Sequence, residues 1–318
     1  MTQPLGPDSL PRIAVGCMNF GKRTTPDESA RVIRRAIERG LVWFDTANVY
    51  NEGASETVLG RALGADRTHC IIATKVGLAR REGRPEGLRP ERVVQSLDES
   101  LGRLGTDYVD LYYLHAPDPA TPLADTLGAI ADLLARGKVR AWGMSNFASW
   151  QVLDAMNLAD AKGMARPIVA QQIYNVMIRQ LDVEWFAFAK AHPIHTTIYN
   201  PLAGGLLTGK HTLSQAPAAG SRFDGNAMYR RRYWSDRLFE FAGAVGEIAK
   251  EEGMSLVEFA YGWVAGRGGV DSVLLGPASV EQLDAGVDSC ARPLSASARK
   301  KADELYRAFQ GTDATYAR

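Results

Sequence analysis

Asp45, Tyr50, Lys75 and His115 are the residues whose types and spacing could do chemistry together. Asp45 follows the apolar run Leu41 to Phe44, and Tyr50 comes five residues later, after DTANV. Lys75 ends the run Cys70 to Lys75, and His115 ends the run Tyr108 to His115. Such runs read as strands buried on both faces, and chemistry collects at the C-terminal ends of parallel strands. A tyrosine is a poor acid at its free pKa of about 10, and a neighbouring ammonium lowers that value. Lys75 supplies the ammonium, Asp45 holds Lys75 in place, and His115 donates to and orients the same oxygen. Singly, a strand-end Asp is a common turn former and a strand-end Lys is a rim charge. As a set on neighbouring strands about 4.8 Å apart, the four suit proton delivery to a carbonyl that is being reduced.

Helix, glycine and buried strand recur at intervals of roughly thirty residues along the chain. Ile13 to Val15 is strand one. Thr25-Pro26-Asp27-Glu28 resembles a capping box with proline at the first helical position, and that helix ends before Gly40. Strand two is Leu41 to Phe44, and a helix follows over Glu56 to Leu63. Strand three is Cys70 to Lys75, with a helix from Pro90 to Gly105. Strand four is Tyr108 to His115, with a helix over Pro122 to Arg136. Strand five is Val139 to Ser145, with a helix over Ala148 to Lys162. Strand six is Ile168 to Ile173, with a helix over Glu184 to Lys190. Strand seven is Thr196 to Asn200 and strand eight Ser272 to Leu275, whose helix covers Ser279 to Val287. A tail helix lies near Ser297 to Phe309.

Eight such units predict an α/β fold of the (β/α)8 TIM barrel type, one domain over residues 1–318. An open doubly wound sheet would place a glycine-rich turn after strand one; Gly16-Cys17-Met18-Asn19-Phe20-Gly21 stands there, and no GxGxxG occurs. The spacing breaks once, between Asn200 and Ser272, which marks an inserted loop region after strand seven. Of the 318 residues, 46% are apolar and 23% charged, with a net charge of +1. That balance implies no nucleic-acid or membrane partner, so any anion site is local. No signal peptide or membrane-length apolar run is present, and three scattered cysteines (Cys17, Cys70, Cys290) fit free thiols in a cytoplasmic protein.

In their settings, DTANVYNEGASE, IIATKVG and DLYYLHAPD, the four residues resemble the catalytic tetrad of the aldo-keto reductases. The resemblance runs nearly end to end. GKVRAWGMSNF (137 to 147) is similar to the fifth-strand motif, which implies that Ser145 and Asn146 bind the nicotinamide carboxamide, with Gln171 from strand six. It also implies that Tyr199 stacks on the nicotinamide ring. YNPLAGGLLTGKH (199 to 211), SRFDGN, MYRRRYW and VLLGPASVEQL resemble one branch, the aflatoxin aldehyde and succinic semialdehyde reductases. By that likeness Asn200, Pro201, Leu202, Gly204, Lys210 and Arg222 join Asp45 along the cofactor, with Gly276, Ser279 and Gln282 as its clamp. The implied cofactor is NADP(H), with NAD(H) the alternative. The implied reaction is reduction of a small-molecule carbonyl, with Tyr50 as general acid and Tyr50 and His115 touching the substrate. Tyr229, Arg232 and the terminal Arg318 stand where that branch holds a distal carboxylate, which implies acid-bearing aldehydes such as succinic semialdehyde. A nucleotide-binding regulatory subunit on the same barrel, like a potassium channel β subunit, is the alternative function. Monomer and homo-oligomer both remain open.

Two patterns lead elsewhere. GGLLTGK (204 to 210) fits the first seven positions of a P-loop, but His211 replaces the Ser or Thr that would hold magnesium. His192 and His195 flank Pro193 with no third ligand nearby, so they read as a helix end and a strand start, with no metal expected. At the adenosine end the chain departs from its relatives: Ala278 replaces the basic residue that pairs with the 2′-phosphate, and Gly286 replaces an asparagine.

Overall fold

The structure, a computed structural model, describes residues 5–81 and 83–312. Eight strands close a barrel: β1 (Ile13–Gly16), β2 (Trp43–Asp45), β3 (Ile71–Val76), β4 (Val109–Leu114), β5 (Val139–Ser145), β6 (Val169–Ile173), β7 (His195–Tyr199) and β8 (Ser272–Leu275). Each pairs in parallel with its chain neighbour, and β8 closes on β1. This is the (β/α)8 architecture. Side chains alternate across each strand, so Ala14, Trp43, Ala73, Leu111, Tyr113, Ala141 and Val169 fill the interior. Two residues on from Trp43, Ala73 and Tyr113, on the same faces, come Asp45, Lys75 and His115. The alternation that packs the barrel therefore also aims these three inward at its mouth.

The outward strand faces pack on amphipathic helices. Pro26–Glu38 buries Val32, Ile33 and Ala36, and its start is fixed by Thr25, whose hydroxyl accepts from the Glu28 N–H. Pro90–Leu104 buries Val93, Leu97, Leu101 and Leu104 and stops at Gly105, whose φ of 65° suits glycine. The remaining ring comprises Ala54–Leu63, Leu123–Ala135, Ser149–Ala161, Trp185–Ala191, Leu256–Ala265 and Val280–Ala291. The region after β7 holds an irregular turn (Ala203–Thr208) and helices Ala227–Tyr233, Asp236–Glu251 and Leu256–Ala265. It builds its own apolar cluster around Phe223, Tyr229, Tyr233 and Phe241. Helix Ala296–Gln310 packs against Asp236–Glu251.

Several boundaries differ from the expected ones. β2 begins at Trp43, because the Leu41 N–H still donates to the Ala36 carbonyl at 2.9 Å, past Gly40 at φ 74°. Asp45 is consequently the last strand residue. β3 and β7 are shifted by one residue, to Ile71–Val76 and His195–Tyr199, and His115 stands just past β4. The helix after β8 runs on to Ala291, and within it the Ser289 hydroxyl donates to the Ala285 carbonyl. A hairpin of Arg80–Arg81 against Arg84–Pro85, unexpected from the sequence, follows β3. Among the described residues, no helix is long and apolar enough to cross a membrane.

Candidate active site

The turn after β2 is stitched to β3 by the Thr46 N–H on the Ala73 carbonyl (2.8 Å) and the Asn48 N–H on the Lys75 carbonyl (3.3 Å). Tyr50 opens a tight turn (Tyr50–Gly53) in which Asn51 and Glu52 take φ of 51° and 57°. Those values are unfavourable for side-chain-bearing residues. Asn51 compensates by donating to the Met18 carbonyl (3.1 Å) and the Phe20 carbonyl (2.7 Å). Lys75 Nζ donates to Asp45 Oδ1, to the Thr46 carbonyl (2.8 Å) and to the Tyr50 hydroxyl (3.4 Å). Asp45 Oδ2 accepts from Gln171 Nε2 at 2.8 Å. Asp45 and Lys75 are wholly buried. The rings of Tyr50 and His115 meet edge-on, with centroids 5.9 Å apart. The four sequence-predicted residues thus converge on one point at the barrel mouth.

Their charge states follow from burial and neighbours. Burial raises the Tyr50 phenol, and the opposing pull of the Lys75 ammonium does not outweigh it. This corrects the expectation of a net lowered phenol: the lysine acts in the expected direction, but the pocket's exclusion of water is larger. Burial also pushes Lys75 down, yet Asp45 and Tyr50 together leave it raised, so it is an ammonium at neutral pH. His115 is pushed well below its ordinary value, by burial first and by Lys75 second. It is a neutral imidazole at neutral pH, with a buried Nδ1 that meets no partner among the described residues.

The residues expected along a dinucleotide lie on the same rim. Asn146, at φ 64°, sends Nδ2 to the His115 carbonyl (2.9 Å) and the Ser145 hydroxyl (3.0 Å). Its Oδ1 accepts from the Tyr199 hydroxyl at 2.5 Å. Gln171 has its amide nitrogen on Asp45, which leaves its oxygen to accept from another group. Asn200, at φ 59°, exchanges hydrogen bonds with the Tyr229 hydroxyl, and Pro201 and Leu202 lead into the turn. Gly204 has φ 70°, and a Cβ there would come within 2.7 Å of the Tyr229 ring. Lys210 is exposed on the loop beyond. Arg222 donates to Met18 Sδ and to Asn19 Oδ1 (2.8 Å), and Asn19 Nδ2 donates to the Gly276 carbonyl (3.1 Å). The inserted loop, the β1 loop and the β8 loop are thereby tied together. Ser279 and Gln282 cap helix Val280–Ala291: the Ser279 hydroxyl accepts from the Gln282 N–H, and Gln282 Oε1 accepts from the Ala278 N–H.

At the mouth, Tyr229 is buried with two guanidiniums near its ring, Arg222 at 5.4 Å and Arg232 at 5.8 Å from the centroid. Tyr199 is pushed up to about 12 by burial, with Arg232 pulling against it. Arg232 therefore faces the same space as Tyr199 and Tyr229. Arg318 lies outside the described residues. Sequence reading missed Tyr113, whose ring centroid is 5.7 Å from Lys75 Nζ. The period of two from His115 was the signal that could have found it. It also missed Asn19, which no local pattern marks. Among the described residues, no group of three His, Cys, Asp or Glu could hold a metal ion.

Comparison with known proteins bears on this geometry. The profile of the aldo/keto reductase family matches residues 12–307. Aflatoxin B1 aldehyde reductase member 2 of Homo sapiens is 37% identical over 294 residues, which cover 86% of this chain and 80% of that protein. Aldo-keto reductase family 7 member A3 of Homo sapiens is 36% identical, covering 86% and 87%. A probable voltage-gated potassium channel subunit beta of Arabidopsis thaliana is 31% identical, covering 84% and 83%.

Proposed function

The chain belongs to the aldo/keto reductase family, and from that premise we propose that it is an NAD(P)H-dependent aldehyde reductase with Tyr50 as general acid. The single observation that carries the reading is the position of the Tyr50 hydroxyl, 3.4 Å from a buried ammonium, on a ring that meets a neutral imidazole edge-on. The rim amides of Asn146 and Gln171 suit the carboxamide of a nicotinamide, and the Tyr199 ring supplies a flat face beside them. A nicotinamide dinucleotide, when bound, supplies the hydride. Neutral His115 donates an N–H to the carbonyl oxygen and fixes its direction. Tyr50 gives its proton to that oxygen as negative charge develops there, and Lys75 stabilises the phenolate left behind. Asp45 and Gln171 keep the lysine charged and in line. NADP(H) is the family expectation; Ala278, Gly286 and the capping roles of Ser279 and Gln282 give NAD(H) room as an alternative.

Arg232 and Tyr229 fit a carboxylate on the far end of the substrate, because a charge entering the mouth loses hydration and a guanidinium compensates. Acid-bearing aldehydes such as succinic semialdehyde are therefore the proposed substrate class. Oxidation of NADPH and NADH against a panel of aldehydes and ketones tests the reading. Turnover of aldehydes is expected. No turnover with any carbonyl would overturn it and favour a nucleotide-binding regulatory role, the one suggested by the likeness to the channel subunit.

A further inference from the structure

Backbone stitching between the Tyr50 turn and β3 weakens with height, from 2.8 Å at Thr46–Ala73 to 3.3 Å at Asn48–Lys75. Above that level one side chain takes over. Glu86 stands between the Arg80–Pro85 hairpin and helix Pro90–Leu104, and its own N–H closes on the Ala79 carbonyl at 2.8 Å. Its Oε1 accepts from Asn48 Nδ2 at 2.7 Å and from the Gly77 N–H at 2.9 Å. Asn48 is two residues before Tyr50, and Gly77 is two residues after Lys75. Asn48 Nδ2 also reaches the Ser96 hydroxyl at 2.6 Å, which ties the same point to the helix.

We propose that Glu86 is a positioning residue for the Tyr50–Lys75 pair, its buried carboxylate clamping the turn that carries Tyr50 to the turn that follows Lys75. The inference rests on the roles given above to Tyr50 and Lys75. A carboxylate suits the task because one oxygen must hold two N–H donors, and charged acceptors bind more strongly than neutral ones. Burying that charge requires a cation, and Arg92 Nε stands 3.0 Å from Oε2. Arg92 also pairs with Glu99 at 2.9 Å, so its own position is fixed from the helix surface. Gly77 has φ 122°, a conformation that only glycine holds easily, and in it the N–H points at Glu86 Oε1. The Lys75–Tyr50 contact, at 3.4 Å, is already at the long end of hydrogen bonding. A small opening of the two turns breaks it without displacing either strand.

The test uses Glu86→Ala, Glu86→Gln, Asn48→Ala and the Glu86→Ala/Asn48→Ala double variant, with kcat expressed per dinucleotide-binding site. Glu86→Ala is expected to lower kcat about 10- to 100-fold, the cost of misplacing reacting groups by an ångström or less. KM for the aldehyde and the affinity for dinucleotide should stay within about threefold. Glu86→Gln keeps an oxygen for both donors and should recover most of the loss. The double variant should be no slower than Glu86→Ala alone, since both cut one clamp. The Tyr50 titration, followed by ring-carbon NMR, should move in Glu86→Ala and stay in place in Glu86→Gln. If Glu86→Ala does not fold, Asn48→Ala is expected to show the same split and the same moved titration. A role confined to tethering the hairpin would lower the number of binding sites or the melting temperature, with kcat per site and the Tyr50 titration unchanged. That result would overturn the proposal. A wild type inert toward every carbonyl would overturn the reductase reading instead, and the NMR titration would still decide whether Glu86 positions Tyr50.

Discussion

Replacing Lys75 by methionine tests two consequences of one buried ammonium. Methionine keeps the length of the side chain and removes three donated hydrogen bonds, to Asp45, the Thr46 carbonyl and the Tyr50 hydroxyl. For folding, it leaves the Asp45 carboxylate wholly buried with Gln171 as its remaining side-chain donor among the described residues. Breaking one side of a buried pair typically costs about 3–5 kcal/mol. For chemistry, a unit charge about 4 Å away stabilises a full phenolate by about 4 kcal/mol at an effective dielectric near 20. If about half that charge has developed in the transition state, the loss is about 2 kcal/mol, or roughly 30-fold in kcat. Disorder of the phenol adds to this. The expected result is a kcat lower by at least about 30-fold with a dinucleotide affinity close to wild type, because the ammonium acts on charge that develops only during reaction. Urea unfolding reads the stability difference. Since Lys75 is raised in the folded state, its contribution is fully present below the unfolded lysine value of about 10.4 and is lost as pH rises through the folded value. The gap between wild type and Lys75→Met should therefore hold from neutral pH upward and close only in strong alkali. A kcat within fivefold of wild type, or a stability gap that closes as pH rises from about 7 to about 10, would overturn the role given to the ammonium.

Two further substitutions separate cofactor from substrate. Arg222→Ala should raise the KM for NADPH by about tenfold or more and change that for NADH little, because a guanidinium pairs bidentately with a phosphate; equal effects on both would mean that Arg222 serves only to tie the inserted loop to Asn19. Arg232→Ala should erase the advantage of an acid-bearing aldehyde over a neutral one of equal length, about tenfold or more in kcat/KM, while sparing neutral aromatic aldehydes. A uniform slowing of both substrate classes would assign Arg232 to closure of the mouth.

The barrel and the four converging residues were legible because each depends on local pattern. Apolar runs bounded by glycine marked the strands, and the residue at each run's end had to stand at the mouth once the strands were parallel. The start of β2 was not legible, since Leu41 is apolar and only its backbone bond to Ala36 keeps it in the helix cap. Glu86 was hidden for a related reason. Its burial depends on Asn48, Gly77 and Arg92, which no periodicity links to it. The net direction of the Tyr50 shift was out of reach as well. It is set by the competition between a near charge, visible in the sequence, and the exclusion of water, which only the packed pocket defines. Asn19 likewise belongs to the meeting of loops from distant parts of the chain.

Single-turnover oxidation of bound NADPH by an aldehyde in Tyr50→Phe shows whether the Tyr50 hydroxyl delivers the proton. The ring, its edge contact with His115 and the packing are preserved, and only the hydroxyl near Lys75 is lost. The expected rate is lower by about 10²- to 10⁴-fold, the usual contribution of a positioned acid, with dinucleotide affinity within about twofold of wild type. A Tyr50→Phe variant that oxidises NADPH at a rate near that of the wild type would contradict it.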